Sequence, residues 1–78
     1  MTLVYTISGY NPITDELESV FVVPNELTER ILEVVGNDYD GVSDYSLSTL
    51  TLDSIYYALS KSGFKINDDL DYSIGPVN

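Results

Sequence analysis

Apolar positions along this chain follow two periods, and each period predicts one kind of element. Leu3, Tyr5 and Ile7 alternate with Val4, Thr6 and Ser8, the period of two that sends successive side chains to opposite faces of a strand. The stretch 9–17, with Asn11-Pro12 and Asp15-Glu16 inside it, reads as a hairpin loop. Residues 18–23 form a second strand, and the unbroken run Val20-Phe21-Val22-Val23 predicts burial on both faces or a central place in the sheet. The two strands pair most simply as an antiparallel hairpin.

Beyond Pro24 the period becomes that of a helix. Leu27, Ile31 and Val34 or Val35 recur at i, i+4 and i+7 or i+8, with Leu32 at the flank. Asn25 is placed to cap this helix, Glu26 and Glu29 lie near its positive end, and Gly36 stands where a helix terminates. After a short extended piece, Tyr45-Ser46-Leu47, the residues Leu52, Ile55, Tyr56 and Leu59 mark a second helix. Thr51 would cap it, with Leu50 packing back on Ile55, Asp53 near the positive end, Lys61 in the last turn and Gly63 as the stop. Tyr57 falls off that apolar face and is expected at the surface. Residues 64–66 can begin a further strand, and Leu70, Tyr72 and Ile74 alternate as a final one that Gly75-Pro76 ends. The expected fold is one α+β domain over 1–78: a small antiparallel sheet, built from the N-terminal hairpin plus a C-terminal strand, with two helices packed on one face.

Composition narrows the chemistry. At 78 residues the chain holds one compact core at most. The absence of cysteine and histidine removes disulfides, thiolate metal sites, thiol nucleophiles and the commonest general base together. A hydrophobic content of 44 % with seven tyrosines is too apolar for a disordered acidic tail, so folding is expected. The stretch 1–7 has neither the positive start nor the long apolar run of a leader, and no window approaches a membrane span, so a cytoplasmic location is expected.

Charge changes the picture most. Thirteen Asp and Glu against three Lys and Arg give a net charge of −10, beyond the roughly 2–8 units that keep a small domain dissolved. Such a field repels nucleic acid and anionic membrane and favours a basic protein as partner. The carboxylates are also grouped. Residues 37–45 carry Asp38, Asp40 and Asp44 with Tyr39 and Tyr45 and no basic residue, and Glu29 and Glu33 on the first helix run into that segment. Asp68 and Asp69 form a second acidic turn. Carboxylates accept from Arg and Lys, and tyrosines offer rigid amphipathic contact area, so these nine residues form the candidate partner-binding set. The plainer alternative is a set of solvated turns and a solvated helix face.

No catalytic residue, cofactor or metal ligand is expected. Asp pairs occur, but nothing in the sequence marks a pocket that would split their pKa values into acid and base. Asp38-Tyr39-Asp40-Gly41 has the flavour of a calcium loop, yet aligning Gly41 with the turn glycine puts Gly36 first and Leu47 twelfth, where carboxylates are required. Gly9 and Gly41 stand singly and indicate turns rather than a phosphate loop.

The size, the lack of Cys and His, the opening hairpin 4–23, the helix 25–35 and the pieces Asp38-Tyr39, Asp44-Tyr45 and Asp71-Tyr72 together resemble small bacterial immunity proteins. These are cytoplasmic antidotes to a cell's own colicin-type or contact-dependent inhibition toxin. The resemblance is one of layout over nearly the whole chain and carries no residue role with it. It implies a cognate toxin domain, often a basic nuclease, held one-to-one and neutralised by occlusion. A phage-encoded nucleic-acid mimic, seated in the DNA channel of a host defence nuclease, would share this surface physics. A mimic spreads its carboxylates along a face, whereas here they cluster at 37–45 and 67–72. A third reading is an assembly subunit whose acidity serves solubility.

Overall fold

The N-terminal alternation becomes strand β1 (Tyr5–Tyr10), in which Tyr5, Ile7 and Gly9 are buried and the residues between them half-buried. The structure, a computed structural model, describes residues 3–77. Met1 and Thr2, the start of the stretch read above for a leader, lie outside the described residues, as does Asn78. The loop after β1 is organised by Asn11, whose side-chain oxygen accepts from the N–H groups of Ile13 and Thr14 at 2.9 and 3.2 Å. Asn11 N–H closes the loop on Glu16 O at 2.9 Å. Asp15 takes φ 63°, a left-handed conformation that Asp tolerates better than most residues. The chain returns as β2 (Leu17–Val22), with a register irregularity opposite Gly9 and Tyr10.

A 3-10 turn (Asn25–Leu27) leads into α1 (Thr28–Val35), followed by the two-residue β3 (Tyr45–Ser46), α2 (Thr49–Ala58) and β4 (Asp71–Pro76). The sheet order is β2-β1-β4-β3, with every neighbouring pair antiparallel. The α+β architecture expected from the pattern is therefore the one observed, with the extended piece at 45 added as a fourth strand. Ile7 and Ile74, directly opposite each other, enter one core with Ile31 and Val35 of α1 and Leu52 and Ile55 of α2. Each such residue contributes about 1.5–3 kcal/mol by leaving water. Gly9 is needed where it stands: a Cβ there would lie 2.9 Å from both Leu70 Cδ1 and Tyr72 Cε1.

Several expectations are corrected. β2 is an edge strand, with β1 between it and β4, and both helices cover the other face; Val20 and Val22 therefore stay 54 % and 56 % exposed instead of buried. Asn25 does not cap α1 with its side chain, because it lies inside the 3-10 turn that Leu27 N–H closes on Pro24 O at 3.0 Å. Ser48, rather than Thr51, caps α2 by accepting from Thr51 N–H at 3.2 Å. With the helix starting a turn earlier, Leu50 is 82 % exposed and cannot staple onto Ile55, and Asp53 lies beyond the first turn. α2 ends at Ala58, so Lys61 and Gly63 belong to the turns that follow it. Tyr56 is about half exposed, leaving Leu52, Ile55 and Leu59 as the buried stripe; Tyr57 is at the surface as expected. Residues 64–66 form no strand, since the Phe64 ring turns into the core against Phe21 (5.0 Å between centroids) and Tyr72 (6.2 Å).

Candidate functional site

Segment 37–44 is built by short-range bonds and then fixed to the sheet. Gly36, at φ 101°, ends α1 by donating to Leu32 O at 3.1 Å and turns the chain back. Asp40 Oδ1 accepts from the N–H groups of Val42 and Ser43, both at 2.9 Å, and Oδ2 accepts from the Ser43 hydroxyl at 2.9 Å. Those donors hold the Asp40 carboxyl below the usual carboxylate range, the two backbone N–H groups contributing most. Tyr5, rooted in β1, donates its hydroxyl to Gly41 O at 2.6 Å. The loop is thus preorganised, which lowers the entropy lost on binding.

Its aromatic residues face inward. Tyr39 and Tyr45 are half-buried and packed on the core, with ring centroids 5.3 Å apart, and Tyr39 meets Tyr5 edge-on at 6.4 Å. The Tyr39 hydroxyl is out of water and has no hydrogen-bond partner. Burial, and then the nearby Tyr5, Asp40 and Asp44, push its pKa up to about 12, so the phenol stays neutral at ordinary pH. Leaving that group unbonded costs on the order of 1–3 kcal/mol.

The nine candidate residues fall into three places. Glu29 and Glu33, one turn apart on α1, line a shallow hollow of about 430 Å³ with Asn37 and Tyr39, and Asp38 and Asp40 follow directly in the chain. Asp44 leaves this group. β3 runs antiparallel to β4 with Tyr45 opposite Ile74, which puts Asp44 beside Gly75, and its carboxylate lies where a Cβ at position 75 would be. Asp44 accordingly lines a different cleft of about 420 Å³, with Tyr10, Asp15, Ser46, Asp71 and Ser73. Asp68 lies apart from both, in a hollow shared with Asp53, Tyr56, Lys65 and Ile66. Asp69 sits next to it in a turn that Asn67 Oδ1 closes on Asp69 N–H at 2.9 Å. That turn precedes Asp71, whereas Asp44 neighbours Gly75, so the two acidic segments flank opposite ends of β4.

Sequence alone did not single out Tyr10 and Asp15 as parts of this surface, nor the buried Tyr5 and Gly75 beneath it, and it counted Asp71 only within the cluster 67–72. Asp71 and Tyr10 are direct cross-strand neighbours, and alternation alone would have shown Asp71 on the side away from Tyr72. Among the described residues, no group of three or more His, Cys, Asp or Glu is arranged to hold a metal ion, and no helix is long and apolar enough to cross a membrane.

These features define a small α+β sheet domain with one helical face and one open face edged by carboxylates. No protein-family model matches the chain, and no curated protein or solved structure matches it either.

Proposed function

We propose that this protein is an acidic binding protein of the cytoplasm that neutralises a basic partner by one-to-one occlusion, the partner being a cognate toxin domain with nuclease activity. The observation that carries this reading is the prebuilt loop 37–44. It is held by the Asp40 turn and by the Tyr5 hydroxyl, and it presents Asp38 and Asp40 with Glu29 and Glu33 alongside, while Asp44 at its far end faces the neighbouring cleft. Carboxylates fixed in advance oppose Lys and Arg side chains that would otherwise grip phosphates, and they do so with little ordering cost. Inhibition then needs no chemistry from this chain. Asp40 keeps acceptor capacity beyond its three internal bonds, because a carboxylate offers about four lone-pair sites.

The test is co-expression with the protein encoded by the adjacent upstream reading frame. The reading predicts that growth is rescued, that a one-to-one complex sediments as a single species, and that isolated nuclease activity is lost on mixing. Replacing Asp38, Asp40 and Asp44 together by Asn should slow association. A partner that proves neutral and binds with the same rate at low and high salt would remove the toxin-antidote reading, and one whose DNA channel is filled would replace it with the nucleic-acid mimic.

A further inference from the structure

The run Val20-Phe21-Val22-Val23 has the composition of a strand buried on both faces, yet both helices cover only one face of the sheet. Pairing of Thr6 with Val22 and of Ser8 with Val20 places both valines on the open side. Val77 N–H donates to Val4 O at 2.7 Å, which extends the β1–β4 ladder by one pair and carries two more exposed valines onto the same side. On the same side, between the β1–β2 loop and β3, lies the cleft lined by Asp15, Asp44 and Asp71 together with Tyr10. All three cations of the chain lie elsewhere. Arg30 and Lys61 share a hollow between the helices with Leu27 and Tyr57, and Lys65 lines the hollow of Asp68.

We infer that the open sheet face is where the partner docks: a cationic protein surface with an apolar centre that covers Val4, Val20, Val22 and Val77 and sends an Arg or Lys side chain into the Asp15–Asp44–Asp71 cleft. This rests on the basic partner proposed above and specifies which face receives it. Charge decides the occupant. A second copy would bring the same carboxylates face to face on two bodies of net charge −10, and the same field turns away nucleic acid and anionic lipid. Size fits as well. Three strands of six residues and the two-residue β3 cover about 300 Å², a little under half the ~800 Å² that a standard interface takes from each partner. Asp44 links the face to the preformed loop, which supplies the remainder. Exposed valines on the same face as a cleft of solvent-facing carboxylates give the arrangement of apolar centre and charged rim that specific interfaces use.

The experiment is an amide NMR titration of the intact protein with an eight-residue peptide of alternating Val and Arg, and with a Ser-Arg peptide of equal length and charge. The inference predicts shifts on β1, β2 and β4 and at Asp44 and Ser46, at least fivefold weaker binding of the Ser-Arg peptide, and roughly tenfold weaker binding of the Val peptide by V20T/V22T. The E26Q variant, in the 3-10 turn before α1, should stay within twofold of the parent. The Val→Thr changes are at exposed strand positions, and the map on the parent protein stands without any variant. Shifts confined to α1 and residues 37–43, untouched by V20T/V22T, would overturn the docking face and leave the basic partner standing. Failure of both peptides to bind at low salt would overturn both. Dimerisation of the free protein through this face, seen by sedimentation and abolished by V20T/V22T, would replace the cationic partner with a second copy.

Discussion

On the helix-covered face of the sheet, Ile7 and Ile74 are fully buried in one cluster with Ile31, Val35 and Ile55. One residue along the same strands, Thr6, Ser8 and Ser73 keep part of their surface in water, and on β2 Val20 and Val22 keep more than half. The two faces share a backbone, and the helices cover one and leave the other open. The comparison separates two demands on the sequence: the covered face specifies the fold, and the open face is free to specify a partner.

Substitutions should therefore fall into two classes. The largest effect is expected from Ile74→Ala, which empties the centre of the covered face and should cost about 3 kcal/mol, most of the margin of so small a domain. Val22→Thr, on the open face, should change stability by under about 0.5 kcal/mol in the same denaturant titration. Equal losses at the two sites would erase the distinction between the faces.

The glycines repeat the contrast. Gly9→Ala forces a methyl against Leu70 and Tyr72 inside the core and should cost about 1–3 kcal/mol. Gly75→Ala meets the Asp44 carboxylate, a side chain at the surface that can swing aside, so its cost should stay under about 1 kcal/mol while the Asp44 side-chain resonances move. A larger penalty at Gly75 than at Gly9 would mean that Asp44 is locked in place by something stronger than its position.

Smaller effects arise where the covered face reaches round to the loop. Tyr5→Phe deletes the bond to Gly41 O and should cost about 0.5–1.5 kcal/mol, with faster hydrogen exchange confined to 37–44. Unchanged exchange there would show that the Asp40 turn holds the loop unaided. Tyr39→Phe should be neutral or slightly stabilising, because it removes a hydroxyl that has no partner. That variant also tests the alkaline limb. The folded-state pKa of Tyr39 is raised from 10.0 to about 12, so above pH 10 the folded chain holds a proton that the unfolded chain releases. The stabilisation is complete below pH 10 and is lost as the pH rises through about 12, and Tyr39→Phe should flatten that decline.

Much of the covered face was legible in the sequence, because burial imposes a period. Tyr5 and Ile7, then Ile31 and Val35, then Leu52, Ile55 and Leu59 stand out at strand or helix spacing, and each is buried. Boundaries were less legible, since they depend on which of several equivalent groups forms a bond. Ser48 and Thr51 are both sound caps, and the one that wins lies just after β3 ends against β4. The candidate surface was legible only where it is local in sequence. Glu29, Glu33 and Asp38 follow from helix spacing and chain order, but that Asp44, Asp71 and Asp15 line one cleft depends on the β3–β4 register and on the hairpin reaching across. The exposure of Val20 and Val22 was hidden for the same reason, as their own run is apolar on both sides and only the strand order leaves one side bare.

On the function proposed, the negative charge of this domain exists to meet cationic protein. The rate at which the protein associates with its proposed basic partner, followed as salt is raised, decides this. Electrostatic complementarity predicts a fall of at least about tenfold from low to high ionic strength, with a shallower fall when Asp38, Asp40 and Asp44 are all Asn. A rate that stays level across that range, with parent and variant alike, would contradict it.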